Sequence, residues 1–338
     1  MSQFIVGIDV GNFGTKSQHS NTPSSCTSME KPHEMATEHV FYEGMYHCIT
    51  NDRNRRMKNK LLDEYTLDIS LFAIAKEILA QITSEHPEFG PEEIQKEIDK
   101  ITELSIGVGT PAGYFSALKE QTNEYYLGAW GGTGKKPGLV FTYTKDSVPY
   151  NFSMVLKNCM TFPQDVSPVL AFPALRPKDV QVYYVIGIGG GTVDIIPVEN
   201  NHPRIDDIVS LELGSVKMFD YIQKQLVAFN LEDEFSYEEF ETILLDKETE
   251  RGLSINKATK DAIFQCANKF VCEKVIPGII QKADAKIGRY ASVIIGGGGL
   301  VMKPFIEKSE SFRSVEFVED ININAKAYAS LVAKYLKG

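Results

Sequence analysis

Phe4-Ile5-Val6-Gly7-Ile8-Asp9-Val10-Gly11-Asn12-Phe13-Gly14-Thr15-Lys16 reads as a buried β-branched strand running directly into a glycine turn. The strand ends at Asp9, where a carboxylate can face a cation carried by phosphate. Gly11 and Gly14 let the backbone turn tightly and bring N–H groups close to phosphate oxygens, with Asn12 and Phe13 between them. Thr15 adds a hydroxyl and Lys16 a positive charge. The same pattern recurs half a chain later, where Val182-Tyr183-Tyr184-Val185-Ile186 leads to Gly189-Gly190-Gly191-Thr192-Val193-Asp194. A third cluster, Gly296, Gly297, Gly298 and Gly299, follows the apolar Ser292-Val293-Ile294-Ile295 and precedes a helix-like segment from Leu300. Any one of these is equally a plain strand-to-helix turn. Three in this order point to a nucleotide held between two related lobes.

On these motifs the chain resembles the actin, sugar-kinase and DnaK-type chaperone superfamily over nearly its whole length. Within it the wording Asp9-Val10-Gly11-Asn12 with Thr15-Lys16, and the late Ile323-Asn324-Ala325-Lys326-Ala327-Tyr328, are most similar to the bacterial actin-like proteins of plasmid segregation, the ParM group. The resemblance implies an α/β actin-like fold, with two lobes that each carry a mixed β-sheet flanked by helices and a nucleotide cleft between them. The expected divisions are lobe I with an outer subdomain over 1–165, lobe II with its own over 166–320, and a C-terminal helix, 321–338, returning to lobe I. It also implies ATP or GTP with Mg2+. Asp9 would hold the metal through water, since magnesium dehydrates reluctantly. Residues 11–16 and Gly189, Gly190, Gly191 and Thr192 would grip the phosphates. Gly297, Gly298 and Gly299 would let the adenine lie flat against backbone.

The segment Phe162-Pro163-Gln164-Asp165 is similar to the ParM stretch that positions the attacking water, which makes Gln164 the expected positioning side chain. Its amide orients water but takes no proton at neutral pH; the alternative is that it caps the following turn. Gly214, in Leu211-Glu212-Leu213-Gly214-Ser215, is either the turn near the nucleotide sugar or a simple helix start. One position departs from the pattern: the second motif usually begins with an aspartate two residues before its paired glycines, and here that position is Gly187. The missing carboxylate belongs to the catalytic set, so slow hydrolysis is expected. Asp194, seven residues on, is expected to lie beyond the loop and not to take over.

A chain of 338 residues exceeds the size at which single cores stop growing, so two domains are expected. Apolar residues at 43% and charged ones at 24% describe an ordinary globular protein. A net charge of −10 argues against a generally basic nucleic-acid surface, so any DNA is reached through an adaptor protein. The basic cluster Arg53, Arg55, Arg56, Lys58 and Lys60 reads as a solvated loop face or a subunit contact, with a DNA site as the alternative. Five cysteines without a Cys-x-x-Cys pair suggest neither a disulfide framework nor a zinc site. With no signal-peptide pattern and no apolar run near the ~18 residues of a membrane span, a cytoplasmic location without membrane attachment is expected.

Leu67, Leu71, Ile74, Ile78 and Ile82 recur at helical spacing, and a second helix is expected to carry Ile94, Ile98 and Ile101 before the strand Leu104-Ser105-Ile106-Gly107-Val108. Residues 17–35 read as a hairpin or exposed loop and 131–138 as a hairpin loop. The prolines between Asn151 and Pro177 read as a crossover between lobes, 232–250 as an acidic, solvent-facing stretch, and 260–282 as one long helix. The function that follows from the resemblance is a polymerising ATPase whose filaments segregate plasmid DNA through a DNA-binding adaptor. The alternatives are a small-molecule kinase, which needs a general base that Gly187 does not supply, and a cell-shape or membrane-linked filament. A chaperone would need a peptide-binding module for which these residues leave no room.

Overall fold

In the computed structural model, residues 2–32, 36–50, 64–132, 138–229, 231, 233–283 and 287–337 are described. The basic cluster at 53–60 and residues 133–137 of the glycine-rich stretch lie outside them. The chain divides into two compact units, Met1–Phe172 with Asn322–Gly338, and Pro173–Ile321.

The first unit is built on β1 (Ser2–Val10), β2 (Gly14–Lys16), β3 (Asn21–Pro23), β4 (Cys26–Met29), β5 (Glu38–Tyr42), β6 (Met45–Ile49), β7 (Ile101–Thr110), β8 (Leu139–Lys145) and β9 (Val148–Pro163). Their order across the sheet is β3-β2-β1-β7-β9-β8-β5-β6-β4. β1, β7 and β9 run parallel and the other neighbours antiparallel. Helices α1 (Glu64–Glu85), α2 (Pro91–Ile98), α3 (Phe115–Trp130), α4 (Ser167–Ala171) and, from the far end of the chain, α10 (Ile323–Lys337) complete the unit. Leu71, Ile74, Ile78 and Ile82 of α1 are buried as their spacing predicts. The helix meets the sheet in a core that includes Val6, Ile8, Leu104, Ile106, Tyr126 and Trp130.

The second unit repeats the scheme with β10 (Val182–Ile188), β11 (Val193–Glu199), β12 (His202–Pro203), β13 (Val209–Leu211), β14 (Ala291–Ile295) and β15 (Ser314–Phe317). Its order is β12-β11-β10-β14-β15, with β13 paired to β11. β10, β14 and β15 run parallel and β11 turns back on β10. This matches the β3-β2-β1-β7-β9 half of the first sheet strand for strand. The two sheets therefore share one strand plan. β10 and β14 are nearly continuous apolar runs because both of their faces are covered. The helices are α5 (Ser215–Leu226), α6 (Tyr237–Leu244), α7 (Lys257–Phe270), α8 (Ile276–Lys282) and α9 (Gly297–Ile306). Met218, Phe219, Phe240, Ile263, Ile279 and Ile294 lie in their shared core.

Several local expectations change. Ile101 opens β7 instead of closing α2, which stops at Ile98. Over 17–32 the hairpin alternative holds and the exposed loop does not: β3 folds back antiparallel on β2, β4 follows, and Ser17, Thr22 and Cys26 are buried. The stretch from Asn151 is not yet a crossover: the alternation of Tyr150, Phe152, Met154 and Leu156 toward the core makes it part of β9, which runs to Pro163. Gly131 caps α3 and Gly138 precedes β8, so this connection joins a helix to a strand and not two strands of a hairpin. The long helix over 260–282 is interrupted by a π turn, Val271–Val275. Pro277 follows it, lacks an N–H and crowds the carbonyl one turn back, which favours the wider turn. The acidic 232–250 stretch is only partly solvent-facing, because Phe240, Ile243 and Leu244 of α6 are core residues and Glu248 is buried against Lys260; Glu232 lies outside the described residues.

Candidate functional site

In the first unit, Val10 pairs with Thr15 and Asp9 with Lys16, so the first glycine motif is the turn of an antiparallel hairpin. The Gly11 N–H donates to the Gly14 carbonyl at 3.1 Å and closes the turn. A Cβ on Gly11 would stand 2.6 Å from that oxygen, so the close approach requires glycine. Directly opposed residues of such a pair point to one face, so the side chains of Lys16 and Asp9 share a face of the hairpin. No ion pair holds Lys16 among the described residues, so its charge is available to an anion. Asn12 and Phe13 sit half-buried in the turn. Thr15 is fully buried, and its hydroxyl bonds to Ser24 at 2.8 Å, so it anchors the hairpin from beneath.

Asp9 is 3% exposed and carries two amide contacts. Gln164 Nε2 donates to Oδ1 at 3.2 Å, and Asn324 Nδ2 approaches Oδ2 at 3.5 Å. The Gln164 backbone is fixed on both sides, its N–H donating to the Thr110 carbonyl at 2.8 Å and its carbonyl accepting from Val166 at 2.8 Å. Gln164 therefore faces Asp9 with its side chain and does not serve merely as a cap. Asp165, also buried, accepts from Asn324 Nδ2 at 2.9 Å and donates its N–H to Asn324 Oδ1 at 3.1 Å. Asn324 reaches this place because α10 lies directly on β1 and β7: a Cβ on Gly7 would stand 1.8 Å from the Ala325 carbonyl oxygen, and one on Gly109 2.2 Å from the Tyr328 hydroxyl. Burial, together with the negative charges of Asp9 and Asp165, holds the Tyr328 phenol well above its ordinary pKa, so it stays neutral.

In the second unit the middle glycine motif is again a hairpin turn, with Ile188 opposite Val193 and Gly187 opposite Asp194. This corrects the expectation that Asp194 lies beyond the loop. The return strand brings it directly beside Gly187, on the face a side chain there would occupy. Its carboxylate accepts from Thr192 Oγ1 at 2.9 Å and from the Ser210 hydroxyl. The carbonyls of Gly189, Gly190 and Gly191 accept from the N–H groups of Ser215, Val216 and Gly214, at 3.0, 2.9 and 3.2 Å. The first turn of α5 is thus satisfied by the hairpin. These bonds use the turn's carbonyls and leave the N–H groups of Gly190, Gly191 and Thr192 outside them, as an anion cradle requires. Gly214 makes this fit possible, since a Cβ would stand 2.5 Å from the Gly190 oxygen.

The third glycine cluster packs on the same hairpin. Cβ atoms on Gly296 and Gly298 would stand 2.5 Å from the Ile188 oxygen and 2.6 Å from the Gly189 oxygen, and one on Gly299 2.7 Å from Ile294 Cγ2. Gly297 alone of the four faces open space. The helix begins inside the cluster, at Gly297, and not at Leu300. Three glycine segments far apart in sequence therefore meet backbone to backbone within one unit.

Sequence reading singled out Gln164 but gave no role to Asp165, Asn324 or Tyr328. The available signal was the pair Asn324 and Tyr328, four positions apart and so on one face of a helix otherwise lined there by small residues. Among the described residues no group of three or more His, Cys, Asp or Glu is arranged to hold a metal ion. Magnesium beside a nucleotide uses one or two carboxylates with water and phosphate oxygens, and the buried Asp9 carboxylate is the residue that would supply such a ligand. No helix among the described residues is long and apolar enough to cross a membrane.

No protein-family model matches the chain, and no curated protein matches its sequence. Solved structures do match its fold. The archaeal actin homolog Ta0583 in complex with ADP superposes with a TM-score of 0.66 at 16% identity, covering 98% of this chain and 99% of that one. Bacillus thuringiensis ParM with ATP gives 0.60 at 14% identity over 100% and 99%. A pCBH ParM non-polymerisable quadruple mutant gives 0.62 at 17% over 98% and 100%. The chain has the actin-like fold.

Proposed function

We propose that this protein is an actin-like ATPase that self-associates into filaments in a nucleotide-dependent way. The observation that carries the proposal is the contact of the Gln164 amide with the Asp9 carboxylate, two residues 155 positions apart. It joins a group that orients water to a group that holds a hydrated magnesium ion. In this reading Lys16 and the N–H groups of the first hairpin bind phosphate oxygens, and those of Gly190, Gly191 and Thr192 do the same in the second unit. Adenine lies on the open face at Gly297, and Gly214 lies near the sugar. Bound Mg2+ would supply charge neutralisation of the phosphates. The absence of a carboxylate at Gly187 makes hydrolysis slow. Self-association draws support from the fold shared with a ParM known in a non-polymerisable mutant form, and the use of ATP from the nucleotide complexes of the other two relatives. The finer reading is that the filaments act in the cytoplasm and move plasmid DNA through a DNA-binding adaptor, the chain itself making no direct DNA contact.

Sedimentation with ATP, ADP and a non-hydrolysable analogue, with phosphate release followed in the same tubes, tests the proposal. The expected outcome is pelleting with ATP and the analogue, little with ADP, and slow phosphate release that chelation of magnesium abolishes. A protein that stays in the supernatant in every condition removes the filament reading.

A further inference from the structure

Asp165 has a backbone φ of +66°, in the left-handed region that a residue with a side chain seldom occupies. It directly follows Gln164, so any change in its backbone swings the Gln164 amide. Asn324 grips this one residue at two points, accepting from its N–H at 3.1 Å and donating to its carboxylate at 2.9 Å. The same Nδ2 lies 3.5 Å from Asp9 Oδ2, while Gln164 holds Asp9 Oδ1. Asn324 is 5% exposed and sits in the first turn of α10, which the glycines of β1 and β7 admit to close range. Its fold position therefore allows little movement, and it touches both partners of the Asp9–Gln164 contact, one directly and one through Asp165.

We infer that Asn324 is a positioning residue for nucleotide hydrolysis: it holds Asp165 in its left-handed conformation and so aims the Gln164 amide at Asp9. The inference rests on the hydrolase reading above for its catalytic consequence, and on the geometry alone for the aiming. Without Asn324, Asp165 relaxes toward an ordinary backbone conformation and the amide leaves Asp9. Glycine at 165 adopts positive φ without steric cost, so it relieves the dependence on Asn324. A role for Asn324 exercised elsewhere in α10 predicts no such relief, and a bond to Asp165 that is merely structural predicts relief in stability but not in kcat.

Three variants are compared with the wild-type chain: Asn324→Ala, Asp165→Gly, and the two combined, with Asn322→Ala as a control that loses a bond at the same helix end to the Gln18 carbonyl. Asn324→Ala is expected to lower kcat for phosphate release roughly tenfold to a hundredfold, the scale of a misplacement near 1 Å, with KM for ATP little changed. The loss caused by Asn324→Ala should be markedly smaller when residue 165 is already glycine. Unchanged kcat in Asn324→Ala, or an equal loss in both backgrounds, overturns the inference. The second readout is the side-chain amide resonance of Gln164, assigned by its disappearance in Gln164→Glu and followed in the nucleotide-free protein. Asn324→Ala should shift it and speed its exchange with solvent, and Asn322→Ala should not; an unmoved resonance also overturns the inference. If Asn324→Ala does not fold, Asn324→Ser replaces it in both measurements. A wild-type chain that releases no phosphate defeats the functional reading, and the resonance then decides the aiming of Gln164 by itself.

Discussion

The two glycine hairpins share one scaffold and distribute their acids differently. In each, a central strand turns back after its glycines, and the residues paired across the ladder are seven positions apart, Asp9 with Lys16 and Gly187 with Asp194. The first hairpin carries its carboxylate on the outgoing strand, opposite a lysine, and two side-chain amides hold it. The second carries its carboxylate on the return strand, opposite a glycine, and two hydroxyls hold it. An acid bound by Thr192 and Ser210 is committed to fixing its own turn. The acid at Asp9 is buried with one amide at each oxygen, which under the proposed function leaves acceptor capacity for a metal's water. Under the proposed function, one backbone plan thus yields an active corner in the first unit and a rigid cradle in the second.

The largest effect expected from breaking this comparison is at Gly214. Gly214→Ala drives a methyl into the Gly190 backbone, which has no room to yield because its carbonyl is held by Val216. We expect a loss of about 3 kcal/mol in the stability of the turn, at the upper end of overpacking costs, and loss of nucleotide binding by calorimetry. Retained affinity and melting temperature would show that the α5–hairpin junction is softer than these distances imply.

The next effect separates the hairpins directly. Gly11 and Gly189 hold equivalent places, two residues past Asp9 and Gly187. A Cβ at 11 meets the Gly14 oxygen at 2.6 Å, whereas one at 189 comes no nearer than 3.8 Å to the Thr192 oxygen. Gly11→Ala should therefore destabilise the protein by roughly 1–3 kcal/mol, and Gly189→Ala by much less. Equal shifts in chemical denaturation would erase the distinction between a tight first turn and an open second one.

The repeated strand-glycine pattern made the related sheets legible in the sequence, because a buried parallel strand needs a continuous apolar run and a turn needs glycine. The helical spacing in α1 was legible for the same kind of reason. The site itself was only half legible. That both glycine motifs are hairpin turns depends on hydrogen bonds to strands only three and seven residues long, too short to show a clear period. The pairing of Gly187 with Asp194 is a register, which sequence alone leaves open unless the seven-residue spacing of Asp9 and Lys16 is carried across. Asn324 and Asp165 meet through a tertiary contact spanning 159 positions. No local propensity encodes that contact, and the positive φ of Asp165 is invisible in its residue type.

The smallest effect, and the sharpest use of the comparison, lies at Gly187. Gly187→Asp restores the expected acid, but it places that acid opposite Asp194, and like charges directly opposed in a ladder cost about 0.2–1 kcal/mol. Because Asp194 is buried, one of the two carboxyls in the variant must bind its proton more tightly than in the unfolded chain. A raised folded pKa supports stability below the unfolded carboxyl pKa and loses that support as pH rises through the folded value. The variant's deficit against wild type should therefore widen from acid to neutral pH. Gly187→Asp combined with Asp194→Gly moves the acid to the outgoing strand, as in the first hairpin, with glycine instead of lysine opposite it. The combined variant should release phosphate faster than Gly187→Asp alone and should show no widening deficit, although it gives up the Thr192 and Ser210 bonds. Equal phosphate release from the single and combined variants, with parallel pH profiles, would mean that the two carboxylates do not share a face in solution, and the hairpins would then differ by more than the placement of one acid.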